Sequence, residues 1–204
     1  MSPIVGVLIS YLAGSLPSAY IAGKLRGIDL RQHGSGNLGA TNVVRVLGPW
    51  IGGVVFIADL LKGFLPVYFL PRYTETLQPE LWALVYGVAA IVGHVKPIFL
   101  LGKGGGKGVA TASGVFLALA FVPMLIAEVV WIGVFYFTRY VSLASLVGAA
   151  ALPIAILLWS RDPRSPVFVA SVIIALFVFW THRANIGRLR RGEEHKFVKK
   201  ENAA

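Results

Sequence analysis

Three short segments of the chain combine glycine, serine or asparagine, and basic residues, and each lies beside a long apolar run. In the first segment, glycine allows close backbone approach to a ligand, and a helix start offers unpaired N–H groups to an anion such as phosphate. Ser35 or Asn37 would cap this helix, and Thr41 and Arg45, four residues apart, would share one face. The candidate residues here are Ser35, Gly36, Asn37, Thr41, Asn42 and Arg45. A simple cap and tight turn is the alternative.

The second segment runs from Gly93 to Thr111 and opens into the next apolar run. Glycines beside two lysines at a helix start are typical of an anion-binding nest. A Walker A loop is excluded, because Gly108 follows Lys107 and Leu101 stands where that motif needs its first glycine. The candidate residues are His94, Lys103, Gly104, Gly105, Gly106, Lys107 and Thr111. The alternative is a flexible loop whose lysines only mark the cytoplasmic side.

The third segment follows the last apolar run and contains His182, Asn185 and Arg188 at intervals of three residues. If the helix continues, this spacing places the three side chains near one helix face. A basic helix end that contacts anionic headgroups is the alternative, which we favour for Arg190 and Arg191. The histidines lack carboxylates at metal-ligand spacing, so the sequence predicts no metal site and no cofactor.

The elements that position these segments are predicted by composition. Of the 204 residues, 56% are hydrophobic and 14% charged, with a net charge of +10 and a mean hydropathy of +0.74. A soluble globule could not bury so much apolar surface, so soluble and disordered classes are excluded and nucleic acid is not an expected partner. Cysteine is absent, which excludes disulfides, thiolate-bound zinc and an enzyme-bound thioester.

Six apolar stretches are long enough to cross a membrane: Pro3–Gly23, Gly48–Leu70, Pro79–Val95, Gly108–Thr138, Tyr140–Ser160 and Ser165–Thr181. As one helix, Gly108–Thr138 would extend about 46 Å, beyond a hydrocarbon core of about 30 Å, and Pro123 would interrupt it. Division of this stretch near Pro123 gives seven spans, which places 15 of the 19 Lys and Arg on one side. We therefore predict an all-α integral membrane protein with seven transmembrane helices, some short. Its amino terminus lies outside and its carboxyl terminus in the cytoplasm, and residues 1–204 form a single domain.

Charged residues inside the spans are interpreted separately. Asp59 and Lys62 are three residues apart and predict a structural ion pair. Glu128 has no evident local partner; it would hydrogen-bond across helices or lie near the surface. Neither the pair nor Glu128 matches a basic phosphate site, so all three residues are left outside the predicted site.

Runs 35–45, 93–111 and 182–189 resemble the three motifs of the bacterial acyl-phosphate:glycerol-3-phosphate acyltransferases, the PlsY family. The resemblance implies an inner-membrane enzyme with its active site at the cytoplasmic face. Such an enzyme moves a fatty acyl group from acyl phosphate to the sn-1 hydroxyl of glycerol 3-phosphate and gives lysophosphatidic acid and phosphate, a step of phospholipid synthesis. One departure is that three glycines separate Lys103 and Lys107, where the family usually has Lys-Gly-Gly-Lys-Gly.

The resemblance suggests catalytic roles for Ser35, His182 and Asn185, with the remaining candidates binding substrate. No histidine is followed five residues later by aspartate, so a His–Asp base is not expected. The proton acceptor would be the donor phosphate or His182, and a double displacement through Ser35 is a further route. The expected partners are acyl phosphate, glycerol 3-phosphate and membrane lipid; the oligomeric state stays open, and a monomer is compatible. The rival function is a small transporter or channel for an organic phosphate or another anion.

Overall fold

A computed structural model describes residues 1–197, and every regular element in this range is helical. The range holds ten α-helices and three short 3₁₀ turns. The α-helices are α1 (Pro3–Ser15), α2 (Ser18–Lys24), α3 (Ala40–Leu47), α4 (Pro49–Phe69), α5 (Pro79–Val95), α6 (Val109–Leu119), α7 (Phe121–Thr138), α8 (Val141–Ser160), α9 (Pro166–Thr181) and α10 (Arg183–Arg191).

Within the described residues, five helical segments are long and apolar enough to cross a membrane. They are Pro3–Lys24, Pro49–Tyr73, Pro79–Leu100, Phe121–Thr138 and Val141–Ser160. A sixth candidate is the pair α9 and α10, which is bent by 59° between its two helices. The apolar helix α6 is shorter than these segments. The all-helical membrane class predicted from composition is thereby confirmed.

The long stretch Gly108–Thr138 is divided, as its length predicted, but the break lies at Ala120 rather than at Pro123. Helix α7 begins at Phe121, so Pro123 falls in its first turn. A proline there sacrifices no helical hydrogen bond, because the first N–H groups of a helix have no partner within it. The proline therefore begins the second helix instead of bending a continuous one.

The chain forms two compact units, and the first, Met1–Phe121, contains helices α1 to α6. Helices α1 and α5 cross where glycines bring their backbones together. A β-carbon on Gly14 would collide with the carbonyl of Ala90, and one on Gly93 would collide with the carbonyl of Tyr11. Small residues at such crossings allow close van der Waals packing, which holds helices together in lipid.

Helices α4 and α6 of the first unit cross in the same way. A β-carbon on Gly63 would overlap the carbonyl of Thr111, and one on Gly114 would overlap the carbonyl of Leu60. Helix α6 follows the glycine-rich second segment directly. The close crossing with α4 therefore fixes the position of α6, and with it the position at which the second segment enters this helix.

The second unit begins at Val122 and contains most of α7 together with α8, α9 and α10. Trp131 on α7 donates a hydrogen bond to Ser145 Oγ on α8 at 3.3 Å, and Gly148 lets the Trp131 side chain pack closely. Many large apolar side chains on these helices are exposed, including Val129 at 68% and Leu158 at 73%. Such exposure suits contact with lipid rather than with water.

Candidate active site

The first segment is an irregular loop whose shape is set by the buried side chain of Asn42, which is 1% exposed. Its Oδ1 accepts a hydrogen bond from Ser35 N at 2.8 Å, and its Nδ2 donates to the carbonyls of His33 at 3.0 Å and Leu30 at 3.3 Å. Gly34 and Gly36 have φ of +61° and +70°, which glycine adopts without strain. The backbone of Ser35 is therefore anchored, while its side chain is exposed.

The helix after this loop begins later than the sequence predicted. Helix α3 starts at Ala40 with Gly39 at its N-cap, so neither Ser35 nor Asn37 is the capping residue. The loop remains non-helical because its backbone groups form hydrogen bonds with the Asn42 side chain rather than with the backbone of a helix. Thr41 and Arg45 lie one turn apart on α3, as their spacing predicted, with Arg45 exposed and Thr41 half-buried.

The second segment is closely fitted to its surroundings, which contradicts a loose, flexible loop. A β-carbon on Gly105 would overlap the carbonyls of Val95 and His94, and one on Gly106 would overlap His94 Nε2. Gly104 and Gly108 have φ of +75° and +85°. These glycines are needed because the backbone has no room for a side chain or adopts the left-handed conformation.

The first two segments meet within the first unit. The carbonyl oxygen of Leu38 lies 3.0 Å from the β-carbon position of Gly106, and Leu38 Cδ1 lies 3.5 Å from that of Gly104. Lys103 is exposed and Lys107 is half-buried. The two loops thus form one glycine-rich surface that carries basic side chains.

Thr111 lies just beyond this surface, in α6, and is fully buried at 0% exposure. Its Oγ1 makes no hydrogen bond with any of residues 1–197. The structure thus buries Thr111 within α6, at the end of the second segment, rather than exposing it with the lysines.

Arg31 joins the two loops from the side, and its charge is already balanced. Its Cδ lies 3.1 Å from the β-carbon position of Gly104, and its guanidinium pairs with Asp29 at 2.6 Å. Side-chain hydrogen bonding from Arg31 lowers the pKa of Asp29 to about 2, so Asp29 is ionised at neutral pH. Arg31 therefore packs against the second loop, and its positive charge is offset by the carboxylate of Asp29.

Three ionisable side chains lie beneath the loops, inside the helices of the first unit. Lys62 Nζ lies 2.7 Å from Asp59 Oδ1, which confirms the predicted ion pair. His94 Nδ1 faces the same carboxylate oxygen at 3.7 Å. Asp59, Lys62 and His94 are 2%, 7% and 6% exposed, so the sequence was right about the pair but did not connect it with His94.

The third segment belongs to the second unit, where the helix bends instead of continuing straight. His182 stands at the bend and is 3% exposed. Its Nδ1 lies 2.8 Å from the carbonyl oxygen of Val178, and since a carbonyl can only accept, Nδ1 carries the proton. In the neutral ring, Nε2 is then the basic nitrogen.

Asn185 and Arg188 lie on one face of α10, as predicted, and both bind Glu194. Glu194 Oε1 accepts hydrogen bonds from Asn185 Nδ2 at 2.7 Å and from Ser142 Oγ on α8 at 2.9 Å. Glu194 Oε2 accepts from Arg188 Nε at 2.7 Å. Burial opposes ionisation, but these hydrogen bonds outweigh it and hold the pKa of Glu194 below its ordinary value of 4.5.

Glu194 was not singled out from the sequence, and the Asp59–Lys62 pair was left outside the site without a connection to His94. A charged pair inside an apolar span was the available signal, since ionisable residues within a membrane span are costly and indicate a functional site as a first hypothesis. Gly192, at φ +71°, ends α10 as glycine commonly does, but the contact of Glu194 with Ser142 on α8 is distant in the sequence and follows from no local pattern. Among residues 1–197, no group of three His, Asp or Glu side chains is placed to hold a metal ion.

Comparison with known proteins identifies the family. A family model described as glycerol-3-phosphate acyltransferase matches residues 4–192. The chain belongs to the glycerol-3-phosphate acyltransferase family. A family member from Geotalea daltonii is 44% identical over 196 residues, covering 96% of this chain and 98% of the relative. One from Aquifex aeolicus is 42% identical over 198 residues, covering 97% and 100%.

Two solved structures of the glycerol-3-phosphate acyltransferase family share this fold. Both are of PlsY (YgiH), an integral membrane glycerol 3-phosphate acyltransferase, at 38% sequence identity. Its glycerol 3-phosphate form has a TM-score of 0.88 and covers 96% of each chain. Its lysophosphatidic acid form has a TM-score of 0.83 and covers 96% of this chain and 95% of that one. The predicted family membership is confirmed, the chain is an acyltransferase enzyme, and the transporter alternative is set aside.

Proposed function

We propose that this acyltransferase moves a fatty acyl group from acyl phosphate to the sn-1 hydroxyl of glycerol 3-phosphate. The observation that carries the proposal is the single glycine-rich, basic surface formed by the first two segments beside apolar helices. Such a surface suits two phosphate-bearing substrates, and the neighbouring bilayer suits a fatty acyl chain.

The forms of the solved relative support the choice of acceptor and product. That protein is described in a glycerol 3-phosphate form and in a lysophosphatidic acid form. Lysophosphatidic acid is glycerol 3-phosphate that has gained one acyl group, so the two ligands stand before and after one transfer. The acyl phosphate donor rests on the resemblance of the three motifs.

The binding roles follow from where the candidate side chains lie. Ser35, Gly36, Asn37 and the glycines 104–106 hold the acyl phosphate through N–H and O–H donors. Arg45, Lys103 and Lys107 balance phosphate charge, and arginine is suited to bidentate phosphate binding. Thr41 supports the phosphate from the same face of α3 as Arg45. Asn42 and His94 hold the first and second loops in place, and Thr111 packs against α4 at the end of the second segment.

On the second unit, His182 and Asn185 orient glycerol 3-phosphate, assisted by Arg188. In the reaction, the sn-1 hydroxyl oxygen bonds to the acyl carbonyl carbon, and the bond from that carbon to the phosphate oxygen breaks. The phosphate leaves with the electron pair of that bond. The hydroxyl proton goes either to the departing phosphate or to His182 Nε2, which the Val178 contact leaves basic.

Little further chemistry is required of the protein, because acyl phosphate is an activated mixed anhydride. Positioning of the two substrates and stabilisation of the developing oxyanion supply the remaining acceleration. The exposed hydroxyl of Ser35, on its anchored backbone, suits a hydrogen-bond donor better than a nucleophile, since no base contacts it among residues 1–197.

We also propose the topology in which these residues share the cytoplasmic face. In this proposal, the short helix α6 crosses the membrane as a seventh span beside the five long segments and the bent pair. With the amino terminus outside and the carboxyl terminus in the cytoplasm of a bacterial inner membrane, the chain works as one membrane domain over residues 1–204.

One assay tests the proposed function directly. Purified protein in a lipid mesophase is supplied with palmitoyl phosphate, and phosphate release is followed with and without glycerol 3-phosphate. We expect release to depend on glycerol 3-phosphate and to match the lysophosphatidic acid formed. Release that is unchanged by glycerol 3-phosphate, or no release at all, contradicts the proposal.

A further inference from the structure

Asp59 and Lys62 have no part in the reaction proposed above, although Asp59 pairs with Lys62 and faces His94, which supports the second loop. The pair is buried in a membrane helix layer, where charges are costly. A buried ion pair adds little to stability, because apolar side chains of similar volume often hold a fold equally well. Its presence at this depth therefore needs a reason other than stability.

The contacts of His94 connect this pair with the glycine-rich surface. One edge of the imidazole, at Nδ1, faces Asp59 Oδ1 at 3.7 Å, and the opposite edge, at Nε2, lies against the backbone of Gly106. Gly106 in turn lies beside the carbonyl of Leu38 in the first loop. A continuous line of contact thus runs from Asp59 through His94 to the place where both loops meet.

Lys62 extends the same line to the first helix pair. Its Nζ donates to the carbonyl of Leu16 at 2.9 Å while it pairs with Asp59. Pro17 follows Leu16 and separates α1 from α2, so this carbonyl is not committed to a continuous helix. Lys62 therefore fixes Asp59 against a rigid backbone acceptor.

The imidazole has no other polar anchor in the part of the chain that the structure describes. His94 Nδ1 is buried and makes no hydrogen bond with residues 1–197, so its orientation depends on packing and on the Asp59 carboxylate. Removal of that charge would release the ring to rotate. Gly106 would then lose the surface that it packs against.

We propose that Asp59 and Lys62 are positioning residues, which hold His94 against Gly106 and so set the spacing of the two phosphate-binding loops. The inference rests on the proposed function, since it assigns these loops to the phosphates of the substrates. Asp59 and Lys62 touch no reacting atom and act through His94.

The test removes both charges together, with Asp59→Leu and Lys62→Met in one chain. A single Asp59→Asn change would leave Lys62 buried without its carboxylate and would endanger folding, whereas the apolar pair restores packing. We expect the double variant to fold and to keep kcat within about threefold of the original. The KM for at least one of the two phosphate substrates should rise about tenfold, since loop spacing affects binding first.

The matched control removes another pair of one acidic and one basic residue, which is exposed instead of buried. Arg191 and Glu193 pair at 2.7 Å but are 60% and 56% exposed, so Arg191→Ala with Glu193→Ala should leave both KM values unchanged. A third variant, His94→Asn, should show the same KM increase. Combined with the charge-free pair, it should add nothing further, because both changes break one line of contact.

The outcomes separate this proposal from the proposed function. If the original chain does not transfer acyl groups from acyl phosphate to glycerol 3-phosphate, the proposed function fails first. If it does, unchanged KM values in the charge-free variant overturn the positioning role. Additive effects with His94→Asn overturn it as well. A charge-free variant that cannot fold also overturns it, because the pair would then hold the fold and not the loops.

Discussion

Ser35 combines a fixed backbone with a side chain that is open to a ligand. Its N–H is held by Asn42 Oδ1 at 2.8 Å, while the residue itself is exposed. A donor arranged in advance is suited to a charge that develops during reaction. The role that follows for Ser35 is that of a hydrogen-bond donor to the acyl phosphate.

Replacement Ser35→Ala tests this role. Loss of one well-placed donor lowers kcat by about a hundredfold, so we expect slow but measurable phosphate release. The matched control is Gln32→Ala, an exposed neighbour outside the site, which should leave kcat unchanged. A complete loss of turnover, with an acyl group trapped on Ser35 in the original chain, would instead indicate double displacement. Undiminished turnover would exclude any essential role.

Glu194 connects helix α10 with helix α8 through hydrogen bonds. One carboxylate accepts hydrogen bonds from Ser142, Asn185 and Arg188. The adjacent carboxylate of Glu193 makes only an exposed pair with Arg191. The two neighbours therefore allow a matched comparison of a buried and an exposed acid.

We expect Glu194→Gln to lower the thermal transition temperature and to reduce turnover about tenfold, because hydrogen bonds to a charged group are strong. Glu193→Gln should change neither. The pKa of Glu194 is below 4.5 in the folded protein, so its contribution to stability is present above that pH and is lost as the pH falls through the lower folded value. Thermal unfolding followed at falling pH should show a steeper loss in the original chain than in Glu194→Gln; equal slopes would contradict this account.

The crossing of α4 with α6 depends on a missing side chain at Gly63. An added methyl group would overlap the carbonyl of Thr111, and backbone cannot move aside as a flexible side chain does. We expect Gly63→Ala to cost about 1–3 kcal/mol in unfolding free energy, measured in detergent. Gly53, on the same helix, has open space around it, so Gly53→Ala should be at least as stable as the original chain. Equal stability of the two variants would show that the crossing is not close.

The sequence contains no cysteine, so the membrane topology can be tested directly with single introduced cysteines. Single cysteines are introduced at exposed positions and treated with a membrane-impermeant maleimide in intact cells. With seven spans, cysteine at Leu77 or Arg164 should react from outside, and cysteine at Gln32 or Arg190 only after lysis. With six spans, the results for Arg164 and Arg190 would be exchanged, which makes these two positions decisive.

The sequence predicted what depends on local pattern and missed what depends on distant contacts. Apolar length predicted long membrane helices, and residues 1–197 contain five such segments, or six with the bent pair. The spacing of Asp59 and Lys62 predicted their ion pair. Both predictions depend on residues that are close in the chain. The hydrogen bonds between the Asn42 side chain and the first loop could not be predicted, because they join residues that are distant in the sequence, such as Asn42 and Leu30. The division predicted near Pro123 lies at Ala120, a few residues earlier, because the proline stands in the first turn of the second helix.

The glycine crossings of the first unit also limit how this chain can vary. Where Gly14, Gly63, Gly93 and Gly114 meet a carbonyl, no rotamer change can absorb an added methyl group. The exposed apolar positions, such as Ile4 at 70% and Leu158 at 73%, have only fluid lipid beside them and tolerate any side chain of similar hydrophobicity. We therefore expect a clear contrast after random substitution and selection for activity. Active variants should keep glycine at the four backbone contacts, whereas the lipid-facing positions should exchange freely among apolar residues.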